Sequence, residues 1–178
     1  KDKMIHLDHP FVSQEIDRLI NDVSEPMSDQ DGSVFDMKLF SIRELRSQNS
    51  FLHNIPKLTL GKKPFHIRIN PINAVDLGLA DLEKVKLISP WGEVVAPVKM
   101  TDEVMPGCLG MPHGWGHNGG WKHANSLNSA NYNVLSPTDP SWLDKPSGNA
   151  TFNGIPVRIE KISYQDSALN DQGDAVNA

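Results

Sequence analysis

The chain is 178 residues long, which suits one domain with or without an appended segment and is enough to bury a core without crosslinks. Hydrophobic residues make up 38%, and the 13 glycines bring the apolar share to the globular norm, which excludes wholesale disorder. Lys and Arg total 17 against 22 Asp and Glu, a net charge of -5 that argues against a general nucleic-acid binder, and no apolar run approaches the roughly 20 residues of a membrane span.

Residues Asp8 to Val23 read as an amphipathic helix. Pro10 suits a first helical position, and Phe11, Val12, Glu15, Ile16, Leu19, Ile20 and Val23 fall at helical spacing. Such a helix packs on the main domain or on something outside this chain. The polar, turn-rich stretch Ser24 to Gly32 reads as a linker. Beyond it the signal is β. Met37 to Ile42 is a short apolar strand, and Phe65, Ile67 and Ile69 alternate with His66 and Arg68. Asn70-Pro71 offers an N-cap followed by Pro at the first helical position, so 71–77 is a short helix that Gly78 stops. Val85 and Leu87 belong to a strand, Ser89-Pro90-Trp91-Gly92 is a turn, and Val94, Ala96, Val98 and Met100 alternate on the returning strand. Residues 108–111 and 155–162 supply two more strands. Many short strands with little helix predict a compact, mainly β barrel.

Two loops stand out. Pro106 to Asn153 is rich in Gly, Asn, His, Pro and Trp, and a loop this long in a compact domain is functional or disordered. Its glycines allow close approach of a ligand, and its Asn side chains offer donors and acceptors to a heteroaromatic edge. A purely structural loop is the competing reading. The other is Arg43 to Asn54, where Arg43, Arg46, Ser47, Gln48, Asn49, Ser50, His53 and Asn54 crowd together. Arginines grip phosphate with two parallel bonds, whereas Ser and Asn commonly do no more than cap their own turns. His113 and His117 are four apart, and with His123 they could be drawn as a zinc site. That spacing works on a helix, and Gly114, Gly116, Gly119 and Gly120 speak against one. The lone cysteine, Cys108, excludes an intramolecular disulfide and a Cys-rich metal centre, and it reads as a small buried side chain in a strand.

The blocks RELRSQNSFLHNIPKL, NPINAVDLGLADLEKVKLISPWGEVVAPVKMTDEVMPGCLGMPHGWGH, ANYNVLSPTD and PSGNATFNGIPVRIE occur in that order. Together they resemble the C-terminal domain of the molybdopterin oxidoreductases, the family of dimethyl sulfoxide reductase, formate dehydrogenases and nitrate reductases. The resemblance covers about residues 34 to 162. It implies a double-psi β-barrel of the aspartate-decarboxylase-like class, with one or two short helices and long ligand loops. On it, residues 1–33 are a helix and linker from the preceding part of the enzyme and 34–163 the barrel; 164–178, polar and without periodicity, reads as a mobile tail.

The resemblance also implies a function. The domain holds the pterin and guanine dinucleotide of molybdopterin guanine dinucleotide, carrying molybdenum or tungsten. The metal ligand and redox chemistry belong to upstream domains of the same polypeptide, so the isolated chain would lack both cofactor and catalysis. Carried over residue by residue, Arg46, Ser47, Gln48, Asn49 and Ser50 match a first cofactor loop, where many relatives have His at the position of Gln48. His113, Gly114 and His117 match a second, and Asn131 and Asn133 a third. No catalytic and no metal-binding residue is assigned. Family members occur in cytoplasm and periplasm, and the expectation here is cytoplasm, with no nucleic-acid partner. With the ligand missing, Gly114 to Asn133 is expected to be poorly ordered. Two other classes stay open: a free-standing ligand-binding barrel, and a histidine-based metal hydrolase.

Overall fold

The computed structural model describes residues 9–21, 27–59, 65–117, 122–127 and 129–162. Period-two alternation decides its centre. In β1 (Met37–Ile42), Met37 and Leu39 point inward while Lys38 and Phe40 face out. In β2 (Ile67–Ile69) the two Ile are buried around a half-exposed Arg68. Val85 and Leu87 face inward from β3 (Lys84–Ser89), and Val94, Ala96 and Val98 from β4 (Gly92–Met100). β5 (Cys108–Pro112) contributes Leu109 and Met111, and β6 (Ile155–Lys161) contributes Ile155 and Val157. A one-residue slip in any strand would turn this set to solvent, so the alternation fixes register.

The strands close into a barrel in the order β1-β5-β2-β4-β3-β6, with β6 returning to pair antiparallel with β1. This is the expected mainly β barrel. Its parallel pairs are β1 with β5 and β2 with β4, and such pairs need long crossovers. The chain leaving β1 at residue 43 and the chain leaving β5 at residue 113 therefore emerge side by side at one end. The β3–β4 turn and the start of β6 share that end. Helix α3 (Pro71–Asp76) and residues 101–107 lie at the other.

Short devices set the connections. Asn70 caps α3 by accepting from Ile72 N at 3.0 Å, and its amide donates to Val104 O at 2.7 Å. The expected helix thus ends one residue early, with Leu77 as its C-cap. Ser89 Oγ accepts from Trp91 N and Gly92 N, both at 3.2 Å, which closes the Pro90-Trp91 turn.

Helix α1 (Pro10–Asn21) forms as predicted, while Asp22 and Val23 lie outside the described residues. Among the described residues Phe11, Val12, Ile16, Leu19 and Ile20 of its apolar stripe are exposed, and the buried member is Glu15, which accepts from Arg18 Nε at 2.8 Å. Residues 27–35, read as linker in part, fold back on the barrel. Ser28 bridges Val34, Asp29 pairs with Arg158 at 2.5 Å, and the Arg158 guanidinium sits over the ring of buried Phe35. Cys108 is half-buried at the start of β5 rather than enclosed, because its β1 partner is the outward-facing Lys38. The tail 164–178 lies outside the described residues.

Candidate functional site

The first loop (43–59), including helix α2 (Pro56–Thr59), leaves β1, and the second (113–117) leaves β5. A third (129–136) runs through a 3-10 turn at Tyr132–Leu135, whose Tyr132 and Leu135 plug the barrel. Parallel pairing of β1 and β5 puts the first two loops together, and two glycines fasten them. Gly114 has φ +82, and a Cβ there would lie 2.4 Å from Asn49 O. Gly116 has φ +77, and its Cβ would lie 2.3 Å from Asn131 N. Both positions need a left-handed backbone and the space of a missing side chain. The second loop is thus clasped between the first and the third.

Side chains complete the clasp. Gly116 N donates to Ser129 Oγ at 3.0 Å, and His113 Nε2 lies 3.4 Å from Asn49 Oδ1. Asn54 Oδ1 accepts from His123 N and Ala124 N at the start of helix α4 (Lys122–Asn125). Tyr132 Oη donates to Phe152 O at 2.8 Å, and burial pushes the pKa of its phenol up, so it stays protonated.

The predicted residues divide. Asn49, His113, Gly114, His117 and Asn131 are brought together, but two of them owe their identity to the fold. Gly114 is a backbone contact, and Asn131 Oδ1 caps its own turn by accepting from Asn133 N at 3.0 Å. Ser47 is buried and donates to Glu44 O at 3.0 Å, also a turn role. Gln48 and Asn49 both hold positive φ, 44° and 61°, which places strain at the tip of the first loop. Arg46, Gln48 and Asn133 are exposed, and Ser50 is half-buried. His113 Nδ1 is buried without a hydrogen-bond partner among the described residues. Burial, then the charge of Arg43, lowers its pKa against the opposing pull of the Ile42 backbone, so the ring is neutral near pH 7.

Within Gly114 to Asn133 three of the described residues are packed away from solvent. Trp115, Ala124 and Tyr132 are buried in or against the core, because an indole and a phenol ring bury too much apolar surface to stay in water. Residues 118–121 and 128 lie outside the described set.

Reading the sequence also missed a group. Trp115 stacks on His53 with ring centroids 3.6 Å apart, and its Nε1 donates to Glu44 Oε2 at 2.8 Å. His53 is 1% exposed, and its Nδ1 lies 3.1 Å from His117 Nε2 while its Nε2 has no partner among the described residues. Burial and then the charge of His117 bring its pKa down to about 4, with the Gly114 backbone opposing, so His53 is a neutral ring. Burial raises Glu44, and the Trp115 bond and the charge of Arg68 hold it back. These groups line a cleft of about 390 Å³ with Arg43, Leu45, Arg46, Ser47, Leu58, Thr59 and Arg68. The sequence signal was the density of the 43–54 cluster and a tryptophan that had to be buried somewhere. Glu44 gave no signal.

Among the described residues no group of three or more His, Cys, Asp or Glu is placed to hold a metal ion. The histidines are spent on Asn49, on Trp115 and on the first loop. A closed barrel with clasped polar loops at one end defines a binding domain for a large polar ligand. Comparison with known proteins makes that specific. Residues 37–156 match the family described as the Molydopterin dinucleotide binding domain, and the chain belongs to that family. It is 31% identical over 144 residues to a tetrathionate reductase chain of Salmonella typhimurium, a match covering 71% of this chain and 14% of the relative. It is 31% identical over 140 residues to the molybdopterin-containing subunit of the arsenate respiratory reductase of Chrysiogenes arsenatis, covering 72% of this chain and 16% of the relative. The chain therefore spans about a seventh of such relatives. Acetylene hydratase from Pelobacter acetylenicus shares the fold, with a TM-score of 0.62 and 20% identity over 89% of this chain and 21% of that one.

Proposed function

We propose that the chain is the cofactor-holding domain of a molybdenum- or tungsten-dependent oxidoreductase, where it grips the pterin and guanine dinucleotide while upstream domains of the same polypeptide supply the metal ligand and the substrate funnel. The observation that supports this reading is the clasp, in which three polar loops meet at one end of the barrel beside a neutral His113 whose Nδ1 is buried without a partner among the described residues. When bound, the cofactor supplies a redox-active metal. The protein's own part is binding and orientation.

His113 Nε2 lies 3.4 Å from Asn49 Oδ1 and its Nδ1 is buried without a hydrogen-bond partner among the described residues, so the tautomer protonated on Nε2 offers Nδ1 as an acceptor. A buried acceptor without a donor costs about 1–3 kcal/mol, which a ring N–H of a pterin or guanine edge would offset. Asn131 spends its oxygen on its own turn and keeps its amide N–H groups for a ligand. Gly114 and Gly116 hold these groups in place before the ligand arrives, and such preorganisation lowers the entropy cost of binding.

The test uses the cofactor-loaded polypeptide that carries this chain. Asn131→Asp keeps the turn and loses the amide donors, whereas Asn131→Leu loses both. The reading expects bound metal per folded molecule to fall about tenfold in both variants at limiting cofactor, with melting temperature falling in the Leu variant alone. Metal content equal to the parent's in Asn131→Asp and Asn49→Leu alike would refute it.

A further inference from the structure

Helix α1 precedes the matched domain, which begins at residue 37, and the three polar loops make no use of it. Glu15 is its buried residue, and every other residue of the helix is exposed. Val12, Ile16, Leu19 and Ile20 stand at i, i+4, i+7 and i+8 and form one stripe, in which Ile16 is 50%, Leu19 58% and Ile20 72% exposed. We propose that this stripe is a docking surface for the rest of the polypeptide that carries this chain, where α1 fills an apolar groove as a tethered helix. The inference rests on the proposed function, which puts the chain in a longer oxidoreductase.

Helix energetics call for a partner. A helix of 12 residues is marginal in water unless one face packs. The pair of Arg18 with Glu15 at 2.7 Å links positions three apart, and pairs of that kind add little. The chain spans about a seventh of the relatives it matches, so most of such a polypeptide lies outside it. The root of the helix is fixed, because 27–35 is held to β6 by the Asp29–Arg158 pair and by Phe35 under the guanidinium. The peptide from Asn21 to Met27 reaches about 20 Å at most, so the groove lies on the Arg158 side of the barrel. A second copy fits less well. A helix of this length is about 18 Å long and about 10 Å across, so two paired stripes cover roughly a few hundred Å² a side, against about 800 Å² per partner in a stable complex. A groove on the same polypeptide needs far less area, since a short tether gives an effective concentration of about millimolar. A lipid surface also fits less well: membrane-surface helices carry Lys and Arg on the polar face, whereas α1 has Ser13, Gln14, Asp17 and Asn21 with the single cation Arg18.

The test measures thiol accessibility along the helix. Ile16→Cys, Ile20→Cys and Gln14→Cys are made singly with Cys108→Ser, both in the 178-residue chain and in the metal-free long polypeptide. Each is treated with N-ethylmaleimide, and modification of the α1 peptide is followed by mass spectrometry. Gln14 is exposed on the face opposite the stripe and serves as the control. In the long polypeptide, Ile16→Cys and Ile20→Cys should react about tenfold more slowly than Gln14→Cys, because labelling waits for the helix to undock. In the 178-residue chain the three should react at similar rates. Equal rates in the long polypeptide overturn the inference. So does protection already present in the 178-residue chain, which assigns the stripe to another segment of this chain if it is independent of concentration and to a second copy if it grows with concentration. Protection that appears only with vesicles of anionic lipid assigns the stripe to a membrane and overturns it too. Ile20→Cys, at the most exposed position of the stripe, carries the test if Ile16→Cys does not fold. Labelling is done without cofactor, so a failed metal-content experiment leaves it readable, and the reverse also holds.

Discussion

Gly114→Ala tests the clasp on which the site depends. Gly114 and Gly148 both have a left-handed backbone, at φ +82 and +69, but a Cβ at Gly148 meets nothing within 4 Å. Alanine at either position should cost roughly 1–2 kcal/mol for placing an L side chain there. At Gly114 the new methyl would also lie 2.4 Å from Asn49 O and 2.8 Å from Asn49 C, both backbone atoms that no rotamer change can move aside. Overpacking of that kind adds about 1–3 kcal/mol. The total is about 2–5 kcal/mol for Gly114→Ala against about 1–2 for Gly148→Ala. Urea unfolding of both variants and the parent, followed by far-UV circular dichroism, measures the difference. Equal losses at the two positions would refute the clasp, since then only backbone conformation and no collision is being felt. Cofactor retention in the loaded polypeptide should fall in Gly114→Ala and stay at the parent's level in Gly148→Ala.

Trp115→Phe should cost about 1–3 kcal/mol beyond its lost area, because Glu44 loses its indole donor in a half-buried place; chemical denaturation beside Glu44→Gln/Trp115→Phe separates the two terms, and a double variant no better than the single one would contradict the reasoning. Acid should weaken the fold through His53. Its folded pKa of about 4 lies below the ordinary 6.5, so the stability it confers is full above 6.5 and is lost as pH falls toward 4. In His53→Phe, which keeps a ring against Trp115, melting temperature should vary less over that window, and an unchanged slope would count against the buried neutral imidazole. Glu44 has the opposite sign: its folded pKa is raised above 4.5, so its relative stabilisation is present below 4.5 and lost as pH rises past it, and Glu44→Gln should flatten that part of the profile. Gln48→Gly should leave stability equal or up to about 1 kcal/mol higher, since the φ of 44° is strained for a side-chain-bearing residue; a clear loss would mean the glutamine side chain holds the loop.

The barrel was legible because strand periodicity is a local property. Alternation at Phe65–Ile69, Val85–Leu87 and Val94–Met100 states which face is buried before any partner is known, and Asn70-Pro71 states its own helix start. The polar loops were legible as loops for a similar reason, being runs of adjacent residues. Contacts that depend on which strands run parallel were not legible. Nothing near Gly114 in the chain says that Asn49 will lie against it, and nothing near Glu44 says that an indole seventy-one positions away will donate to it. The sequence could show that Trp115 needed burial but not that its place was over His53. Helix α1 shows the same limit in reverse. Its stripe was evident from spacing, yet spacing is blind to what covers a face, and here the apolar side stays exposed while Glu15 is buried. Propensity and periodicity are written along the chain, whereas side-chain partnership across the barrel end is fixed only when pairing of β1 with β5 brings distant loops within van der Waals reach.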